Sequence, residues 1–291
     1  MHTDALERIQ NAHSKPTSLP RKHSLKRLRF YWRARKFLRK WDAAEIRAML
    51  GMLRKGDVVM DVGCHKGGWL YWMRHAVGST GQVHAFEPQP ELANYLKGIV
   101  HAFGWQNVFI HTFALGSDAG RLSLHVPDST GSTSASASLV PDVATSESNR
   151  TPTIHTVDVS TLDEFVETNR LPRVDFIKID VEGFEWEVLS GSQKTMAAQR
   201  PAIMVECEQR HLRLCDREMG QVFQQVLKQG YSGQFFPTGE LRPLKEFDPR
   251  VHQNETGERF WDQENYANNF LFQPDPADRR TIDGLQDSET N

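Results

Sequence analysis

The sequence predicts an α/β fold, a mostly parallel, doubly wound sheet with helices on both faces. Three stretches predict it. Val58-Val59-Met60-Asp61-Val62 is an apolar run that enters a glycine turn, Gly63 to Gly67, and is followed by an amphipathic stretch from Trp69 to Val77. Strand, turn and helix in that order form the first unit of a doubly wound sheet. About 20 residues on, Val83-His84-Ala85-Phe86 ends in Glu87-Pro88, and later Phe176-Ile177-Lys178-Ile179 ends in Asp180-Val181-Glu182-Gly183. Each run ends in acidic residues, and ligands of open α/β sheets sit outside the carboxyl ends of the strands.

Composition sets bounds on the rest. The chain has 291 residues, 38% hydrophobic and 25% charged, which suits one large soluble domain with appendages. A formal net charge of -2 leaves no global nucleic-acid footprint, so no DNA partner is expected. Cys64, Cys207 and Cys215 are odd in number and lack C-x-x-C spacing, which argues against a disulfide framework or zinc cluster. No apolar run approaches the roughly 20 residues of a membrane span, and no signal-peptide pattern is visible at Met1. A reducing, cytoplasmic setting is expected.

Residues 1–20 read as a flexible polar tail. Residues 21–41 hold ten Lys or Arg and no acid, with Phe30, Tyr31, Trp32, Phe37 and Trp41 interleaved. Phe30, Ala34, Phe37, Trp41, Ala44 and Ala48 recur at helical spacing. This arm has two readings: a surface helix that meets an anionic membrane or a phosphorylated glycan carrier, or a solvated helix whose apolar stripe packs on the domain. Asp42 and Glu45 have the spacing of a capping box at the start of the main domain, residues 42–273.

A helix is predicted over Pro90–Phe103, and a third strand over Val108–Phe113, followed by Ala114-Leu115-Gly116. Arg121–Val126 alternates, with Leu122, Leu124 and Val126 facing inward. Residues 127–152 are rich in Ser and Thr and are expected to form a mobile loop over the active site. Ile154–Val157 resumes a strand, and Thr161 caps a short helix. Pro201–Glu208 is a further strand that again ends in acids, followed by a helix over Gln221–Lys228. Tyr231–Pro237 and Asn269–Gln273 form a closing antiparallel pair. Between them, Arg259, Phe260, Trp261, Asp262 and Tyr266 either line a substrate pocket or cover the sheet edge. Residues 274–291 are polar and expected to be disordered.

The chemistry concentrates at the strand ends. A carboxylate at the end of the second strand, Glu87, can accept both hydroxyls of a ribose, which is the logic of an adenosine-type cofactor. The turn Gly63-Cys64-His65-Lys66-Gly67 is not the G-x-G-x-x-G of nicotinamide enzymes. Its G-x-x-x-G spacing after an Asp resembles the first motif of S-adenosylmethionine (SAM) methyltransferases. Asp180 and Glu182 emerge together at a strand end, where burial is costly unless they hold a cation or accept donors.

Taken together, Val59–Gly67, Phe86-Glu87-Pro88, Ala114-Leu115-Gly116, Thr161-Leu162-Asp163 and Ile177-Lys178-Ile179-Asp180-Val181-Glu182-Gly183-Phe184-Glu185 resemble the FkbM family of SAM-dependent methyltransferases. The similarity covers roughly residues 56–210, and the I-K-I-D-V-E-G-x-E segment is its most specific part. The resemblance implies a Rossmann-like class I methyltransferase fold, with a seven-stranded sheet and one reversed strand. It also implies O-methylation of a small molecule or a sugar or glycan hydroxyl. Cofactor contacts are expected from Asp61, Val62, Gly63, Cys64, His65, Gly67, Glu87, Pro88, Ala114, Leu115 and Asp180. Asp180 is the expected residue nearest the acceptor, with Glu182 beside it and His211 as an alternative base. Asp180 with Glu206 is a candidate site for a divalent cation such as Mg. Two other readings remain: a non-catalytic SAM-fold scaffold, and an RNA-directed methyltransferase that uses the basic arm. Acceptor and oligomeric state are encoded in no motif.

Overall fold

The computed structural model describes residues 21–127, 133–146 and 151–275. The expected N-terminal tail, residues 276–291 and the rest of the hydroxyl-rich segment lie outside them; Pro274, expected at the start of a disordered tail, instead ends the last strand, where it pairs with Tyr231. The chain opens with α1 (Arg21–Lys36), a π turn (Phe37–Trp41) and α2 (Ala43–Met52). Then come β1 (Val58–Val62), α3 (Leu70–Val77), β2 (Gln82–Phe86), α4 (Pro90–Phe103) and β3 (Val108–His111). An excursion holds β4 (Ala114–Leu115), β5 (Gly120–Val126), α5 (Pro141–Ser146) and β6 (Thr153–Ser160). The main sheet resumes through α6 (Leu162–Thr168), β7 (Phe176–Ile179), α7 (Glu185–Ser190), α8 (Gln193–Gln199) and β8 (Ala202–Glu206). It ends with α9 (Gln209–Arg213), α10 (Met219–Leu227), β9 (Tyr231–Phe235), β10 (Arg242–Pro243), α11 (Pro249–His252) and β11 (Asn269–Pro274).

The main sheet has the order β10-β9-β11-β8-β7-β1-β2-β3. Strands β3, β2, β1, β7 and β8 are parallel, and β11 runs antiparallel between β8 and β9. The expected mostly parallel sheet with one reversed strand is therefore present. The two-residue β10 adds an eighth strand at the edge.

Side chains alternate across this sheet, as strand geometry requires. Met60, Val62, Ile177, Ile179, Ile203 and Val205 face one core, closed by Leu162 and Phe165 of α6, Val188 of α7 and Val222 of α10. Val59, Phe176 and Met204 face the other, closed by Phe30 of α1, Ile46 of α2, Met73 of α3 and Leu96 of α4. Asp61, Lys178 and Glu206 have the parity of this second face, and that sets up the chemistry described below. Among the described residues, no helix is long and apolar enough to cross a membrane.

The basic arm is folded onto the domain through part of its stripe. Phe30 and Ala34 are fully buried, and Phe30 meets Tyr71, Phe103 and Trp105 edge-on. The Trp72 indole donates to the Ala34 carbonyl at 2.8 Å, and the Arg27 guanidinium sits 5.0 Å from the Phe103 ring centre. The π turn shifts the helical phase, so the stripe does not continue: Phe37 is half-buried and Trp41 is exposed. The expected capping box at Asp42 does not form. Asp42 makes no side-chain cap, and its carboxylate accepts the Trp69 indole N–H at 2.7 Å instead.

The excursion forms a second sheet, β4-β6-β5. Thr161 caps α6 as expected, its hydroxyl accepting from the Glu164 amide. Leu124 and Val126 face inward, but Leu122 is exposed: the buried stretch of β5 begins only at Leu124.

Candidate active site at the carboxyl ends of β1, β2 and β7

A cleft opens where β1, β2 and β7 end. Gly63, at φ +78°, leaves β1 so close to β7 that an added Cβ would fall on the Asp180 carbonyl oxygen. This glycine is dictated by neighbouring backbone as well as by any ligand. Glu87 is buried, and one of its carboxylate oxygens accepts from the Gln89 amide at 2.9 Å. Ala114, Leu115 and Leu124 form an apolar wall, with Phe184 beside them.

The described part of the hydroxyl-rich segment covers this cleft and contributes Ala135, Ala137 and Leu139 to its lining. The Gln89 side chain clamps it, donating to the Ser134 carbonyl at 2.9 Å and accepting from the Ser134 amide at 3.0 Å. The buried Ser138 hydroxyl donates to the Glu182 carbonyl at 2.6 Å and accepts from the Val140 amide.

Of the sequence-predicted residues, the cleft brings together Val62, Gly63, His65, Glu87, Pro88, Ala114, Leu115, Asp180 and Glu182. The others lie off its lining. Cys64 is buried in the core behind the turn. Gly67, at φ +73°, faces the arm, and a Cβ there would come within 2.9 Å of the Phe30 ring. His211 is buried, with its Nδ1 3.4 Å from the Glu182 carboxylate. Asp61 is buried at the end of β1, and its Oδ2 has no hydrogen-bond partner among the described residues.

One residue escaped the sequence reading. Lys178 is fully buried in β7, directly opposite Asp61 in the parallel register. Its Nζ lies 2.8 Å from Asp180 Oδ2, 3.8 Å from Glu206 Oε2 and 5.1 Å from the Trp69 ring centre. Burial works against its charge, but Asp180 and Glu206 outweigh burial and hold the ammonium more firmly protonated than usual. A readable signal existed, since residues two apart in a strand share a face and Lys178 precedes Asp180 by two.

Lys178 also corrects the expected metal site. The cation between Asp180 and Glu206 is this ammonium, which occupies the position a divalent ion would need. Among the described residues, no group of three His, Cys, Asp or Glu could hold a metal ion.

The remaining carboxylates are hard to ionise. Burial raises Asp61 to about 7, opposed by the Lys178 charge, and raises Glu87 to about 7. Burial, with the negative charge of Asp180, pushes Glu182 and Glu206 well above the usual range. Burial lowers His65 to about 4, so it is neutral at pH 7. The site is thus a cleft whose shielded carboxylates are poised to receive donors.

The sequence profile of the methyltransferase FkbM domain matches residues 61–232, more than half of the chain. The hexuronic acid methyltransferase AglP of Haloferax volcanii is 28% identical over 165 residues. That match covers 55% of this chain and 59% of the relative, less than two thirds of its length. Among solved structures, the methyltransferase FkbM of Methylobacillus flagellatus aligns over 76% of this chain and 45% of its own, at 15% identity and a TM-score of 0.47. A putative O-methyltransferase of Klebsiella pneumoniae aligns over 93% and 97%, at 10% identity and a TM-score of 0.45.

Proposed function

The chain belongs to the FkbM methyltransferase family, and from that premise we propose that it transfers a methyl group from SAM to a sugar hydroxyl. The observation that carries this reading is buried Glu87, at the end of β2, facing a cleft with an apolar wall at Ala114 and Leu115. A ribose offers this carboxylate two donors, and the apolar wall suits an adenine face. Asp61 lies just behind the lining, next to Val62 and Gly63, and its buried oxygen without a partner among the described residues supports a role as acceptor for the ammonium of the cofactor's amino-acid part. The residues present therefore fit SAM. The hexuronic acid activity of the relative favours a sugar over other acceptors, and hexuronic acids are the first class to test.

SAM supplies a methyl already activated on a sulfonium. The protein must align the acceptor oxygen and take its proton. Asp180 lines the cleft, and Lys178 grips one of its oxygens at 2.8 Å, which fixes the direction of the carboxylate toward an acceptor. Glu182, made more basic by burial and held by His211, is a second proton acceptor at the same mouth.

Thermal-shift titration with SAM, S-adenosylhomocysteine and NAD tests the cofactor. At about a hundred times its dissociation constant, a ligand adds roughly 2.7 kcal/mol of stability. SAM and S-adenosylhomocysteine are expected to stabilise, NAD to do nothing, and Glu87→Ala to weaken the response. The response also carries a pH signature. An acid raised on folding contributes stability that is full below its unfolded pKa and lost as pH rises through its folded value. The ligand-free protein therefore loses the Asp61 and Glu87 contributions between about pH 4 and 7. Donors from the ligand favour the ionised carboxylates, so SAM affinity rises from about pH 6 to 8. Equal shifts from NAD, or an affinity flat across that range, would contradict the assignment.

A further inference from the structure

Helix α1 has two apolar faces, and the domain uses only one. Phe30 and Ala34 point into the core. On the other side, Leu25 is 60% exposed, Leu28 50% and Trp32 56%. At about 100° per residue these three fall within one sector of roughly 60°. Exposed Arg29 and Lys36 border that sector, and the Arg35 guanidinium lies 5.8 Å from the Trp32 ring centre. Residues 21–41 contain no acid to neutralise the flanking cations.

We propose that this outer face of α1 is a docking surface for an anionic lipid bilayer. The charge pattern selects the occupant. Two leucines and a tryptophan need an apolar medium, while the arginines and lysines around them need negative charge at the same level. An interface of anionic headgroups over acyl chains supplies both, and tryptophan prefers that depth. An RNA strand would satisfy the cations and stack on Trp32 but would leave Leu25 and Leu28 in water. A second copy of this face would bring two acid-free basic surfaces together. The proposal stands apart from methyl transfer. It does have a spatial consequence: Phe30, on the inner face, abuts Gly67, so the cleft turn would be held about one helix diameter, ~10 Å, from the headgroups.

The test is co-sedimentation of the full chain with two kinds of vesicle, neutral phosphatidylcholine and phosphatidylcholine with about one third phosphatidylserine. Binding to the anionic vesicles is expected to be at least tenfold tighter and to weaken as salt rises above about 0.15 M. Leu28→Ser with Trp32→Ser is expected to lose tenfold or more while its melting temperature stays unchanged, because both side chains are exposed. Arg29→Glu is expected to lose about 25-fold, since each unit charge near such a surface is worth roughly fivefold. Equal binding to both vesicles, or none, overturns the proposal. So does anionic binding that ignores the Leu28/Trp32 change, tight binding to a short RNA that ignores it, or a dimer in solution that the change dissociates.

Discussion

Lys178→Met is expected to lower the stability of the ligand-free protein by about 3–5 kcal/mol at neutral pH. Methionine nearly matches the volume of the lysine stem, so the loss is electrostatic and leaves no large cavity. The ammonium is the one cation in contact with both Asp180 and Glu206 among the described residues, and it lies opposite Asp61 in the register. Removing it leaves neighbouring shielded carboxylates to repel one another. The sign of the pH effect distinguishes this from a packing defect. Without the ammonium, the folded protein binds protons at these carboxylates more tightly. The deficit relative to wild type should shrink as pH falls from about 8 to 5.5. Urea denaturation at both pH values measures it. A deficit under about 1 kcal/mol at pH 8, or one independent of pH, would mean that Lys178 does not neutralise the cluster.

Asp180→Asn is expected to reduce turnover by about 10²–10⁴-fold while SAM affinity changes by less than about threefold. Asparagine keeps the shape and can still accept from Lys178, but it cannot take the acceptor proton. Single-turnover rates with calorimetric SAM binding separate the two effects. Near-normal turnover would remove Asp180 from the proton-transfer role. Glu182→Gln is the companion experiment, and a larger loss there would move that role to the Glu182–His211 pair.

The fold was legible because its strands announce themselves locally. Val58–Val62 and Val83–Phe86 are nearly pure apolar runs with an acid at or just beyond their carboxyl ends, and Glu87 and Asp180 were placed by that rule alone. What stayed hidden depends on distant partners. Lys178 looks like an ordinary polar interruption of a strand, because only the fold shows that it is fully buried and brings Glu206, 28 residues later, to the same ammonium as Asp180. The Asp180–Glu206 metal site failed for the same reason: two acids at adjacent strand ends were visible, and the ammonium between them was not. Gly67 reads as a ligand-approach glycine from its motif, yet the space a side chain would need is filled by Phe30 from the arm. The arm itself was half legible. Its buried stripe followed helical spacing through Phe30 and Ala34, and no local pattern marked the π turn that ended it.

The account turns on where the methyl group goes. The most direct measurement is transfer of an isotopically labelled methyl from SAM to hexuronic acid glycosides and neutral hexose glycosides side by side, with the product linkage read by NMR. The expected result is a new O-methyl ether on the hexuronic acid ring, absent when S-adenosylhomocysteine saturates the protein and strongly reduced by Asp180→Asn. Label on neither glycoside, label recovered as a carboxyl ester or on nitrogen, or transfer that survives Asp180→Asn would contradict it.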